Sequence, residues 1–300
     1  MTKSQNRSPR AQLGAVAIAL SATFGASAPL MAADWSDTSI GYRFGTNFRE
    51  PYNNTAIEKN IINIEHVSGY KYGTNYLNVD LLNSNGKDPA ASATSHVGAQ
   101  EAYVVYRNTV SLSKVTGSPM KYGSITDVGM TLGFDWNAKS DSGYNSKKRM
   151  LVFGPTISLD VPGHLSVGIQ ELVESNAPCS GTTCVGRYSY KLHPMLSASW
   201  GIPLGDLPLE FKGFMNLIAA KGKNEYGGNT ATETLIDAFI MMDVGRQFGG
   251  PKGMFKVGLG YEYWKNKFGD DASVPFAAPN YGAGSGAFAK TPMIKAEYHF

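Results

Sequence analysis

A period of two runs through nearly the whole chain and constrains it more than any other feature. Residues of opposite polarity alternate, as they must on a strand whose two faces meet different surroundings. Ile40, Tyr42 and Phe44 alternate with Gly41, Arg43 and Gly45. Leu77, Val79 and Leu81 alternate with Asn78 and Asp80, and Met130, Leu132, Phe134 and Trp136 with Thr131, Gly133 and Asp135. The pattern recurs to the end, where Ile294, Ala296, Tyr298 and Phe300 oppose Lys295, Glu297 and His299. About twelve such segments can be counted, separated by Gly, Pro, Asn and Asp. An even number of alternating strands is what bacterial outer-membrane barrels use. The reading is an all-β, transmembrane, antiparallel up-and-down barrel of about 12 strands.

Composition removes the main rivals. Two Cys among 300 residues exclude a disulfide-dense mini-protein, and a net charge of +3 with 11% aromatics argues against disorder. The charged fraction of 17% lies below the soluble average of about 25%. The small net charge gives no reason to expect nucleic acid as a partner.

Residues 1–33 read as a secretory signal. Lys3, Arg7 and Arg10 form a basic start, an apolar stretch runs from Ala11 to Phe24, and small residues lead to Ala32-Ala33 before Asp34. The expected domains are therefore 1–33, signal peptide, and 34–300, one barrel.

The connections are expected to alternate strictly in length, short after long. Five are expected to be short, near 69–73, 117–119, 161–163, 202–205 and 249–251. Six are expected to be longer and polar, at about 49–57, 83–98, 137–148, 174–187, 221–231 and 265–287. Short periplasmic turns facing long extracellular loops are the asymmetry of a membrane barrel. A secreted β-sandwich or lipocalin-like barrel would also alternate, with its apolar face inside. Repeated aromatics on the apolar face favour the membrane, as does the final series to Tyr298 and Phe300, read here as the assembly signal for the barrel assembly machinery. Outer-membrane lipid is then the surrounding partner.

The residues also resemble a family. The start Ala33-Asp34-Trp35, the strands around 60–67 and 75–82, and the segment 101–116 are similar to the nucleoside-specific channel-forming porins (Tsx) and the related OmpK outer-membrane proteins. The likeness is strongest to a proteobacterial "outer envelope protein" branch, in Gly133-Phe134-Asp135-Trp136-Asn137, Tyr144-Asn145-Ser146-Lys147-Lys148-Arg149, Tyr263-Trp264-Lys265-Asn266-Lys267-Phe268-Gly269 and Ala289-Lys290-Thr291-Pro292-Met293-Ile294. The resemblance implies a monomeric twelve-stranded barrel in the cell outer membrane and passive diffusion of nucleosides through it.

No enzyme motif is present, and no cofactor or metal is expected. The five His lie at no metal-ligand spacing. His193 and Ser197 have the residue types of an outer-membrane phospholipase, but their parity places both on the inner face. That face carries both signs of charge: Arg43, Arg107, Lys191, Lys212, Lys256 and Lys295 against Glu65, Asp80, Asp135, Glu210, Asp237, Asp243, Glu262 and Glu297. A bore of mixed sign suits a small neutral polar solute, nucleosides first. The alternative is a structural or receptor-type barrel closed by those same charges. Candidate solute contacts are Tyr76, Tyr103, Arg107, Phe214, Phe239, Trp264, Glu262 and Asp237. Trp264 beside Glu262 is the preferred stacking position, and the rival role for each aromatic is packing or interface anchoring. Cys179 and Cys184 share one loop and are expected to pair.

Overall fold

The computed structural model describes residues 33–89, 97–141, 143–276 and 282–300. The expected signal segment lies outside them, apart from its last residue. Twelve long strands follow one another: β1 Trp35–Glu50, β2 Asn53–Tyr70, β3 Gly73–Ser84, β4 Gln100–Ser111, β5 Ile125–Ser140 and β6 Tyr144–Leu159, then β7 His164–Asn176, β8 His193–Pro203, β9 Leu209–Ile218, β10 Glu233–Asp243, β11 Phe255–Lys265 and β12 Phe288–His299. Each is antiparallel to its sequence neighbours. β12 then pairs β1 from Ser39↔His299 to Gly45↔Met293, which closes the sheet and leaves no long edge.

The barrel is apolar outside and polar inside. Leu259 is 70% exposed and Leu132 61%, with Ile240 and Tyr42 also exposed, whereas Arg43 is 8% and Asp237 5%. In water this exterior would be unfavourable over most of the wall; in a bilayer it is the solvated face. A one-residue register slip would turn Arg43 or Lys295 into hydrocarbon, at about 2–4 kcal/mol each near the midplane. Trp35, Tyr122, Phe211, Phe248, Tyr298 and Phe300 are exposed around the end with the shorter turns, as an aromatic girdle. The Tyr298 and Phe300 rings stack at 6.4 Å.

Several connections differ from their expected lengths. The polar segments at 49–57 and 137–148 are not long loops. β1 and β2 are joined by residues 51–52 alone, and β5 and β6 by 141–143. These strands run 16 to 18 residues, well beyond the roughly 10 needed to span. Above the bilayer, strand pairing no longer requires an apolar face, so a polar sequence there does not mean a loop. Conversely, two expected short turns are substantial. Residues 112–124 contain a one-turn helix, Leu112–Thr116, whose start is capped by Ser111 Oγ accepting from the Lys114 N–H at 3.1 Å. Residues 244–254 contain a 3₁₀ turn, Gly245–Phe248. Gly117 and Gly249 end these turns at φ 71° and 76°, the left-handed region that favours glycine.

In the 177–192 connection, Cys179 and Cys184 are joined by a disulfide across a two-residue ribbon, with Cα atoms 4.0 Å apart. The ribbon adds to the long-loop end of β6 through Asn145↔Cys179.

Candidate functional site: the bore

The inner faces of the twelve strands form two unlike halves. The charged half comes from β1, β2, β3 and β9 to β12. At mid-height Arg43 on β1 reaches both ways, pairing with Asp80 on β3 and, at 2.9 Å, with Asp237 on β10. Asn63 donates to Asp80 Oδ1 at 2.8 Å and to Asn78 at 2.6 Å. Nearer the short-turn end, Lys212 on β9 reaches Glu65 on β2 at 3.3 Å and Glu297 on β12 at 3.0 Å. Lys295 also pairs with Glu297, and Lys256 with Glu210 at 2.7 Å. A contact from β9 to β2 spans much of a twelve-strand circle, so these are bridges across the bore rather than wall contacts.

Toward the long-loop end, the same half carries a buried apolar cluster of Phe48, Ile57, Ile61, Phe239, Met241 and Met293. Phe48 points inward because the β1–β2 register shifts between Gly45 and Phe48. Above it lies a second ionic layer. Glu50 Oε1 is 2.7 Å from Lys59, 3.3 Å from Lys139 and 3.1 Å from Lys267, and Lys139 is 2.6 Å from Asp88. Such charges, taken from bulk water, are stable only because they are paired, Glu50 with three lysines and Lys59 and Lys139 each with more than one carboxylate.

The other half, from β4 to β8, is lined at mid-height by small side chains. Gly129, Thr131 and Gly133 on β5 face Gly154 and Thr156 on β6, then Gly168 and Gln170 on β7, then Ser197 and Ser199 on β8. Hydroxyls and one amide join five strands in a belt. Thr109 and Thr131 are 2.8 Å apart, Thr131 and Thr156 2.7 Å. Gln170 Nε2 donates to Thr156 at 3.2 Å, and Ser197 donates to Gln170 Oε1 at 2.7 Å. Toward the long-loop end this half too becomes apolar (Val152, Leu172, Met195), under Glu174 with Lys221 at 2.8 Å.

All eight candidate solute contacts lie at inward positions, but they are not gathered in one site. Arg107 lies flat on its own wall: its Nη1 is 2.5 Å from Asp135 and 3.1 Å from the Phe134 carbonyl. Gly133 permits this, since a Cβ there would stand 2.7 Å from Arg107 Cδ. Tyr103 donates to Asp135 at 3.0 Å and Tyr76 to Glu65 at 3.3 Å. Tyr76, Tyr103 and Arg107 thus mark the seam where the halves meet at β3 and β4, and Tyr76 is the cross-strand partner of Arg107. Phe214 marks the other seam, between Ser199 on β8 and Asp237 on β10. These aromatics are half-buried.

The other two aromatics are engaged. The Phe239 ring lies against Gly260, and the Lys295 ammonium is 5.0 Å from its centroid. Trp264 donates from Nε1 to Glu233 at 2.5 Å, packs edge-on with Phe268 at 5.0 Å, and has Lys267 at 4.3 Å. Asp237 and Glu262 are direct cross-strand partners. Asp237 Oδ1, Glu262 Oε1 and Arg43 Nε have no hydrogen-bond partner among the described residues.

Lys191 lies in the connection before β8, and its side chain is exposed rather than inward. His193 and Ser197 do not meet: His193 Nδ1 is 2.7 Å from the Lys191 carbonyl, while Ser197 bonds Gln170. The hydroxyl belt was missed in the sequence reading. Its signal was Gly, Ser and Thr recurring at inward positions on consecutive strands.

Outside the bore, Asp270 in the 266–287 connection accepts from Tyr52 at 3.0 Å and Asn224 at 3.4 Å. Burial pushes its carboxyl up to about 6. One carboxylate therefore ties three connections together at the long-loop end.

No family model matches the chain, and no curated protein sequence matches it. Solved barrels share its architecture at low similarity. The translocator domain of the autotransporter NalP from Neisseria meningitidis is 11% identical over 97% of this chain and 96% of that one, with a TM-score of 0.45. The KdgM porin is 10% identical over 87% and 99%, with a TM-score of 0.39. OccK11 of Pseudomonas aeruginosa is 13% identical over 88% and 96%, at 0.25. At these scores the likeness carries no argument about function.

Proposed function

We propose that this barrel is an outer-membrane channel for passive diffusion of small, neutral, hydroxyl-bearing solutes, nucleosides being the first candidate. The observation that carries the reading is the two-sided bore: a hydroxyl belt on one wall, with charges of both signs on the other. A neutral solute can exchange hydrogen bonds along such a wall, whereas an ion of either sign meets opposing charges. A nucleoside adds an aromatic face, and Phe214 offers a ring beside Asp237. Base–aromatic stacking is worth about 1–3 kcal/mol where measured in nucleic-acid proteins. The outer-membrane location is supported by the apolar exterior and the aromatic girdle, and the nucleoside preference by the sequence resemblance.

The bridges across the bore support a second reading, a structural or receptor-type barrel whose bore stays shut. Planar-bilayer recording separates the two. A channel gives steps of conductance that adenosine blocks in part, and Phe214→Ala weakens the block. A bore shut by its own charges gives no steps with or without adenosine.

A further inference from the structure

A cluster of cations lies on the outer surface of the barrel, away from the bore. On the outward face at the long-loop end of β6 stand Lys147 and Arg149, both exposed. Arg187, from the 177–192 connection, folds over the same spot: its Nη1 donates to the Lys147 carbonyl at 2.6 Å and to Ser175 Oγ at 3.4 Å. Ser175 is the cross-strand partner of Arg149. Three cations therefore meet on one patch of wall, and none of them pairs with a carboxylate among the described residues. Arg187 sits below its ordinary pKa because of partial desolvation and the Arg149 charge, so the patch is short of negative charge. The acid on the outward face of β7, Glu171, stands four residues further toward the belt, opposite Phe153.

Directly below the cations the wall is hollowed. A groove of about 460 Å³ is lined by Phe134, Asp135 and Trp136 of β5, Arg149, Met150 and Leu151 of β6, and Val173 and Ser175 of β7, the Asp135 carboxylate itself being held on the inner face by Arg107 and Tyr103. Phe134, Leu151 and Val173 are exposed on the face that meets hydrocarbon. Trp136 pairs with Arg149 at the level where the wall changes from apolar to cationic, the depth at which aromatic residues sit near headgroups.

We propose that this patch holds a bis-phosphorylated glycolipid of the outward leaflet, its phosphates on Lys147, Arg149 and Arg187 and one acyl chain in the groove. Charge complementarity selects the headgroup, since three clustered cations exceed what one phosphate monoester neutralises. Arginine is suited to phosphate because its fork donates two parallel hydrogen bonds. The leaflet follows from the orientation adopted above, with the long loops outward. The site itself does not depend on what the bore conducts.

Native mass spectrometry of the full barrel in detergent tests this, with equimolar bis-phosphorylated lipid A and phosphatidylglycerol. The wild type should retain lipid A in preference. The triple variant Lys147→Gln, Arg149→Gln, Arg187→Gln should lose at least about tenfold in lipid A occupancy. Leu151→Trp, which fills the groove and keeps the charges, should also lose it. Neutralising Lys121 and Lys252, exposed at the opposite rim, should change nothing, which guards against a general charge effect. Lipid A with its phosphates removed should not bind, and inorganic phosphate should not compete at millimolar concentration. Undiminished lipid A binding by the triple variant, equal retention of phosphatidylglycerol, or full competition by inorganic phosphate would each overturn the proposal.

Discussion

The two halves of the bore use the same backbone and solve opposite problems. From β9 round to β3, inward positions carry long charged side chains that cross the lumen and hold each other. From β4 to β8, inward positions at the same height carry Gly, Ser and Thr, and the one large cation, Arg107, lies along the wall. The charged half fixes the barrel's shape by linking distant strands. The small-residue half leaves room and keeps its polar groups satisfied within the wall. On the channel reading proposed above, a solute would pass along the hydroxyl belt, off the barrel axis, and would have to displace the apolar layer of Val152, Leu172 and Met195.

The largest effect should come from breaking the charged half. Arg43→Ala leaves Asp80 and Asp237 without their shared partner, and removing one member of a buried pair costs about 3–5 kcal/mol. Urea unfolding in lipid should show that loss, and the surviving barrels should conduct more than wild type. Ser197→Trp probes the other half. It should lower conductance sharply while costing only about 1–3 kcal/mol of overpacking. If the path ran along the axis instead, Ser197→Trp would leave the current unaltered. Lys212→Gln should shift selectivity toward cations, because Glu65 and Glu297 lose a neutralising neighbour. The reversal potential in a salt gradient reads that shift directly.

The smallest effect concerns the loops that overhang both halves. Asp270 is raised to about 6 by burial, so its neutral form is the one the folded loops favour. Its contribution to loop packing is complete below the ordinary carboxylate range near pH 4 and is lost as pH rises through 6. Hydrogen-exchange protection factors, corrected for the intrinsic pH dependence of exchange, should be lower at pH 7.5 than at pH 5 in residues 219–232 and 266–276. Asp270→Asn should remove the difference.

Much of this was legible in the sequence because one periodicity governs it. Alternation alone assigns Leu132 and Leu259 to lipid and Asp135 and Asp237 to the bore, since a slip of one residue reverses every assignment. It failed where that selection ends. Above the bilayer, residues 137–140 and 144–148 pair as strand without an apolar face. At the β1 bulge the parity shifts, so Phe48 turned inward unannounced. Position on a strand also does not reveal what a side chain touches. Trp264 and Phe214 share inward parity, yet Trp264 is held by Glu233, Phe268 and Lys267 while Phe214 stands at a seam. Those contacts depend on loops and on strands far apart in the chain, which no local pattern encodes.

Thiol accessibility during single-channel recording tests the off-axis path most directly. The two cysteines are bonded to each other, so an introduced cysteine is the reactive one. Ser197→Cys stands on the hydroxyl belt and Asn63→Cys behind the Arg43 bridges. A small charged methanethiosulfonate reagent should rapidly reduce the current through Ser197→Cys and leave Asn63→Cys nearly untouched. Equal modification of both, or reaction at Asn63→Cys alone, would contradict a path confined to the small-residue wall.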